Sequence, residues 1–253
     1  MRVSDVRAIV TGAASGLGRH FTLELAKAGA VVVAGDIDTK ALERLNSESE
    51  SLEGTVSVRK LDVSHESSAA EFVREAFLQT GGVNVLVNNA GILRDGLLVK
   101  EEIGWVKTLP RVQWKQVIDV NLTGAFLMTR ETVAEIIRRK IRQTVVINIS
   151  SVSRLGNSGQ SNYAASKAAL DACTRTWALE LASYGVRVGG IAPGLIDTPM
   201  LRCISEEAKS ALIMRAPLQR IGTPNEVWLA VRFILECDFF TGRVIEVDGG
   251  LSF

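Results

Sequence analysis

Cysteine is scarce and scattered in this 253-residue chain. Cys173, Cys203 and Cys237 are odd in number and far apart, which argues against a disulfide framework and fits a reducing compartment. Their separation also offers no metal-ligand spacing, and the two histidines, His20 and His65, are too distant in sequence to suggest a site. No metal centre is expected. Charge of one sign is lacking too: the formal net charge is +1, which excludes the broad basic field that nucleic-acid binding needs. One local run, Arg138-Arg139-Lys140 with Arg142, is basic and reads as a helix end, where cations complement the dipole. No apolar run approaches the ~20 residues of a membrane span, and the start, MRVSDVRAIV, lacks the layout of a signal peptide. The expectation is therefore a cytoplasmic protein with neither a membrane nor a nucleic-acid partner.

Hydrophobic residues make up 47% of the chain, enough to bury one large α/β core, so residues 1–253 are expected to form a single domain. Short apolar runs alternate with helical patterns. Arg7 to Thr11 reads as a strand, Gly16 to Ala28 as a helix and Ala30 to Gly35 as a second strand, which together make a right-handed βαβ unit. Further strands are expected at Val56 to Leu61, Val83 to Val87, Val145 to Ile149, Val186 to Ile191 and Val244 to Val247. Helices are expected at Thr39 to Asn46, Ser67 to Gln79, Trp114 to Lys140, Asn162 to Tyr184 and Asn225 to Glu236, the last opened by Thr223-Pro224. The stretch Ser47 to Glu53 reads as a surface loop. The fold class is thus α/β: a single-domain Rossmann fold, a doubly wound parallel sheet of about seven strands with helices on both faces.

Two constellations carry chemistry. The loop Gly12 to Gly18 lies between a strand and a helix, where glycines let the backbone approach a pyrophosphate and the helix start offers free N–H groups to it. Its spacing is G-x-x-x-G-x-G rather than G-x-G-x-x-G. Asp36 closes the second strand, where a carboxylate can accept hydrogen bonds from both hydroxyls of an adenosine ribose and would repel a 2′-phosphate. The second constellation is Tyr163 and Lys167, four apart on an expected helix, which puts a phenol and an ammonium on one face. A fixed positive charge near a phenol favours its ionised form, so Lys167 is expected to lower the Tyr163 pKa.

In order along the chain stand Thr11-Gly12-Ala13-Ala14-Ser15-Gly16-Leu17-Gly18, Asp62-Val63, Asn88-Asn89-Ala90-Gly91, Asn121, Ser151, Tyr163-Ala-Ala-Ser-Lys167, Pro193-Gly194 and Asp248-Gly249-Gly250. With these residues the chain resembles the short-chain dehydrogenase/reductase family, and its wording is similar to the branch that reduces 3-oxoacyl thioesters. The resemblance implies a catalytic set of Asn121, Ser151, Tyr163 and Lys167. It implies a cofactor site built from Gly12, Ser15, Gly16, Leu17 and Gly18, from Asp36 and Ile37, and from Asp62 and Val63 against the adenine. Asn89, Ala90 and Gly91, Tyr163 and Lys167 again, and Pro193, Gly194, Ile196 and Thr198 around the nicotinamide complete it.

Ser15 stands where relatives that prefer NADP often carry arginine, so with Asp36 the expected cofactor is NAD(H) in preference to NADP(H). Ser150 has the family's usual distance to Tyr163, whereas counting from the strand end selects Ser151; the strand fixes the direction, so Ser151 is preferred. Lys100 to Pro110 looks like an insertion of roughly eight residues in the family frame, suited to a hairpin. Leu201 to Pro217 is expected to be an irregular lid over the substrate.

The implied reaction is hydride transfer between a nicotinamide and a carbonyl or secondary alcohol. A 3-oxoacyl or 3-hydroxyacyl thioester on CoA or acyl-carrier protein is the leading substrate. Arg142 matches one of two basic positions by which carrier-dependent reductases engage their carrier, but the other is Leu179. A steroid, polyol or small-alcohol dehydrogenase is the alternative, and a non-catalytic NAD-binding subunit a remote one. Family members of this kind are expected to be homotetramers.

Overall fold

Strands that alternate with helices must cross over, and parallel strands covered on both faces become hydrophobic at every position. A computed structural model, which describes residues 1–203 and 206–251, shows this arrangement. The order is β1 (Arg7–Thr11), α1 (Gly16–Lys27), β2 (Val31–Asp36), α2 (Thr39–Ser49), β3 (Thr55–Lys60), α3 (Glu66–Thr80) and β4 (Val85–Asn88). A small hairpin follows, β5 (Val99–Glu102) and β6 (Trp105–Thr108), then α4 (Arg111–Ile118), α5 (Gly124–Arg138), β7 (Thr144–Ile149), α6 (Ser161–Leu181) and β8 (Val186–Pro193). The chain ends through α7 (Glu206–Arg215), α8 (Pro224–Glu236) and β9 (Val244–Val247). The main sheet has seven strands in the order β3-β2-β1-β4-β7-β8-β9, each pairing parallel.

Register divides the core into two layers. Val33, Ile9, Leu86, Val146 and Val188 are successive partners across five strands, and all face the layer that holds α3, α5 and α6. One residue earlier, Val32, Ala8, Val85 and Val145 form the matching row on the opposite face, packed with α1, α2 and α8. Each such side chain contributes roughly 1.5–3 kcal/mol by leaving water, so a one-residue slip of any central strand would exchange both rows at once. The strand order reverses between β1 and β4, and the crevice outside their carboxyl ends is the place where such sheets bind ligands.

Several boundaries differ from the sequence expectation. α2 continues to Ser49, whose hydroxyl bonds back to Asn46 O at 2.8 Å, so the expected loop begins later. The expected helix from Trp114 begins at Arg111 and is split into α4 and α5 by a wide π turn at Asp119–Thr123, centred on Asn121. The stretch expected to be an irregular lid contains a short 3-10 turn, Pro199–Cys203, and the ten-residue α7. Ile204 and Ser205, within that stretch, lie outside the described residues. The expected hairpin is present, with Val99 opposite Thr108 and Glu102 opposite Trp105. No helix among the described residues is long and apolar enough to cross a membrane.

Candidate active site

β1 delivers Thr11 to the crevice, and its hydroxyl organises the turn that follows. Thr11 Oγ1 accepts from the N–H groups of Asn89 and Ala90, each at 3.0 Å, and donates to Val87 O at 3.3 Å. Asn89 returns the contact: Nδ2 donates to Thr11 O (3.0 Å) and Gly12 O (3.1 Å). The glycine loop is therefore fastened to the end of β4 before any ligand arrives. Gly12 needs its lack of a side chain twice over, because φ is +63° and a Cβ would lie 2.8 Å from Ala90 Cα. Gly18 is more constrained still. A Cβ there would sit 2.2 Å from Gly12 O, so the first turn of α1 can approach the loop only with glycine.

The cavity over these ends has a volume of about 600 Å³. Gly12, Ser15, Gly16 and Leu17 line one end of it, with Asp36, Ile37, Asp62 and Val63 beyond them. Asn89, Ala90 and Gly91 form the floor, and Pro193, Gly194, Ile196 and Thr198 the opposite wall. Ser151, Tyr163 and Lys167 face the same space. Of the expected residues, Gly18 and Asn121 are not on the wall; both lie behind it. Room for a dinucleotide is consistent with this lining: backbone-rich and glycine-rich where phosphates would approach, with the N-terminus of α1 aimed at the loop.

Asn121 sits in the π turn with its side chain fully engaged. Oδ1 accepts from Ile92 N (2.8 Å), and Nδ2 donates to Ile92 O (3.1 Å) and Ser166 Oγ (3.3 Å). It thereby joins the segment after β4 to α6, and the widened turn is the backbone's accommodation of a residue that a regular helix disfavours.

β7 ends at Ile149, and the two serines after it take different directions. Ser151 stands near enough to Tyr163 for its hydroxyl to favour the ionised phenol. Its Oγ also accepts from Ser153 N at 3.1 Å, capping a short turn at Val152–Leu155. Ser150 is buried, and its Oγ donates to Lys167 O at 3.3 Å. Both serines line the cavity, but Ser151 is the one that acts on Tyr163, whereas Ser150 is tied to the backbone of α6.

Tyr163 and Lys167 lie one turn apart on α6, both almost wholly buried. Lys167 Nζ donates to Ile149 O at 2.7 Å and stands 5.6 Å from the centre of the Tyr163 ring. The expectation that the ammonium lowers the phenol's pKa is not met in the free protein. Burial pushes Tyr163 up to about 12, the Ser151 hydrogen bond opposes this, and the charge of Asp95 adds to it. Burial likewise pulls Lys167 down to about 8, against the pull of Asp171. The physical reason is desolvation: with both groups out of water, the neutral form of each gains more than one interaction across 5.6 Å returns. At neutral pH the phenol keeps its proton, which is the form a general acid needs.

Sequence reasoning missed the groups behind this face. Asn162 is fully buried, bonding Tyr163 N at 2.8 Å and Arg94 O at 3.0 Å. Asp171 and Arg154 form a buried ion pair at 2.5 Å behind Lys167. The only signal for the latter was an acid four residues after Lys167 on the same helix.

Comparison with known proteins accords with this geometry. A family model of the short-chain dehydrogenase type, described as Enoyl-(Acyl carrier protein) reductase, matches residues 12–252. The chain is 42% identical to a 3-oxoacyl-[acyl-carrier-protein] reductase of Thermotoga maritima over 254 residues, 99% of each chain. It is 36% identical to an enzyme of the same name from Aquifex aeolicus, over 96% of each chain, and 33% identical to one from Vibrio cholerae, over 99% of each.

The chain belongs to the short-chain dehydrogenase/reductase family.

Among its members, the 3-oxoacyl-[acyl-carrier-protein] reductases to which it is similar are NADPH-dependent, and this overturns the expected preference for NAD(H) over NADP(H). The structure gives the reason why Asp36 misled. Its Oδ2 accepts from Ala14 N and its Oδ1 from Asp38 N, each at 3.0 Å. The carboxylate is committed to shaping the turn after β1 and the start of α2, so its presence does not by itself report which ribose is read. A nicotinamide cofactor stands, without preference for NAD.

Proposed function

We propose that the protein reduces the 3-keto group of an acyl thioester to a 3-hydroxyl, in fatty-acid metabolism. As a short-chain dehydrogenase/reductase it is an NAD(P)-dependent oxidoreductase acting on CH–OH and carbonyl groups. The observation that carries the reading is the buried Tyr163 with Ser151 and Lys167 on the wall of a dinucleotide-sized cavity. A phenol and a hydroxyl converging on one point suit an oxygen that becomes an alkoxide. In reducing an enoyl thioester the same pair would face the enolate oxygen, so it is the names of the full-length relatives that favour carbonyl reduction over the enoyl reduction in the family model's description.

In this reading the bound nicotinamide supplies or accepts the hydride. Ser151 donates a hydrogen bond to the substrate oxygen and orients it, and Tyr163 transfers its proton to that oxygen as negative charge develops. Lys167, anchored by Ile149 O, holds positive charge beneath the phenol so that the phenolate left behind is stabilised. Asn121 keeps Ile92 and α6 in register behind them. Proton transfer of this kind contributes on the order of 10²–10⁴ in rate.

The carrier is a finer part of the reading. The relatives' names support acyl-carrier protein. Leu179, 84% exposed where a second basic docking residue was expected, favours a CoA thioester as a second reading. Family likeness supports a homotetramer and a cytoplasmic location. The test is the rate of acetoacetyl-CoA reduction by the wild type and by Tyr163→Phe. Phenylalanine keeps the packing and removes only the proton, so turnover is expected to fall at least about a hundredfold while NADPH still binds. Undiminished turnover would refute the assignment.

A further inference from the structure

Behind the active-site face, a line of alternating charges runs from the surface to Asp171, one helical turn beyond Lys167. Glu246, half-exposed on β9, pairs with Arg154 Nη2. Arg154 lies in the turn that follows Ser151 and is almost buried; its Nε meets Asp171 Oδ2 at 2.5 Å. Asp171, also almost buried, stands one turn beyond Lys167 on α6. The same guanidinium reaches back to Ser151 O at 3.5 Å, so it touches both the segment that carries Ser151 and the helix that carries Tyr163 and Lys167.

We infer that Asp171, held by Arg154, which Glu246 pairs in turn, is a positioning residue that keeps Lys167 charged and thereby sets the upper pH limit of turnover. The inference rests on the reading of Tyr163 and Lys167 as the catalytic pair. Two further observations support it. Asp171 Oδ1 is buried without a hydrogen-bond partner, so the carboxylate is not explained by its structural contacts alone. Among the groups that act on Lys167, Asp171 is the one that opposes the effect of burial, whereas Arg154 is not among them.

The groups facing Asp171 come from three places. Ser150 after β7 and Arg154 in the turn favour its ionised form, as do Arg175 and Lys167 on α6 itself, all against burial, which pushes its pKa up. Ser150 is near enough to act on the carboxylate, but its hydroxyl bonds the carbonyl of Lys167, and Oδ1 is left unpaired. Around Lys167 stand Tyr163 and Asp171 on its own helix, Ile149 O from β7 and Gly91 from the segment after β4. Removing the Asp171 charge leaves burial unopposed, and the lysine then loses its proton at lower pH.

The experiment is the pH profile of kcat for thioester reduction by the wild type, Asp171→Asn and the double variant Arg154→Met with Asp171→Asn, with Lys167→Met alongside. The double variant removes both charges of the buried pair, so no unpaired guanidinium is left to unfold the chain. In both Asp171 variants the alkaline limb is expected to move about one pH unit towards acid. At the wild-type midpoint this lowers kcat about fivefold for the one-unit move, while KM and the rate on the acid side stay near wild type. If Lys167→Met retains wild-type turnover, the catalytic reading itself fails. If Lys167→Met is inactive and the alkaline limb does not move, the inference alone fails. A uniform drop at every pH, or loss of folded protein in both Asp171 variants, assigns the network a purely structural role and overturns it.

Discussion

Gly18 shows how closely single residues govern this site. The residue is off the cavity wall, yet a methyl group there would collide with Gly12 O and with Asn89 Nδ2, the atom that holds the loop in place. Gly18→Ala is therefore expected to destabilise the protein by about 1–3 kcal/mol through overpacking. Dinucleotide affinity should fall with it, by about tenfold for each 1.4 kcal/mol that reaches the site. Melting temperature and fluorescence titration with NADPH measure the two; unchanged affinity would mean that the loop is not the phosphate site. At this scale the sequence was legible where a residue's placement follows from its own geometry, as with the glycines and the helical spacing of Tyr163 and Lys167. It was not legible where burial decides. The Tyr163 proton and the engagement of the Asp36 carboxylate depend on what surrounds each group, and neighbours in space are not neighbours in sequence.

Elements carry two further predictions. The β5–β6 hairpin leaves Val99, Ile103, Trp105 and Val106 exposed, and Leu109 N donates to Leu98 O at 3.0 Å across its base. Replacing residues 99–108 with a two-residue turn should leave the melting temperature within about 4 °C, or ~1 kcal/mol, and the cofactor site intact, as followed by thermal denaturation with and without NADPH. A larger loss would show that the hairpin supports the core.

α8 begins with a reciprocal cap: Thr223 Oγ1 accepts from Glu226 N at 3.4 Å, and Glu226 accepts from Thr223 N at 2.8 Å. Arg220, and then the Thr223 N–H, hold the Glu226 carboxyl well below its ordinary value, at about 2. A depressed acid stabilises the fold above its ordinary pKa and loses that contribution as pH falls through the folded value. Glu226→Gln should thus lower stability at neutral pH and make little difference below about pH 2, where both forms are uncharged. Thr223→Ala should cost about 1 kcal/mol. The cap was readable from Thr223-Pro224 in the sequence, and the hairpin from the excess length before Pro110. α7 was not: its stretch reads as irregular because its polar and apolar residues do not fall on a clean helical stripe.

Across the whole molecule, the alternation of apolar runs and helical patterns was enough to give the doubly wound sheet, since parallel strands demand crossovers and crossovers demand two covered faces. What the pattern could not give is the path by which distant segments reach Lys167, from β9 through the turn after Ser151 to α6, because register between non-adjacent elements sets it. The two buried layers, the reversal of strand order between β1 and β4 and the fastening of the glycine loop by Asn89 place a cavity at the carboxyl ends of the central strands. Reduction of 3-oxoacyl thioesters in this cavity is tested most directly by the initial rate of NADPH consumption by the purified protein with acetoacetyl-CoA and with acetoacetyl-acyl-carrier protein, side by side. Saturable turnover of at least one thioester is the predicted result, with D- or L-3-hydroxybutyryl thioester as the product. No turnover of either by protein that binds the cofactor would contradict the claim.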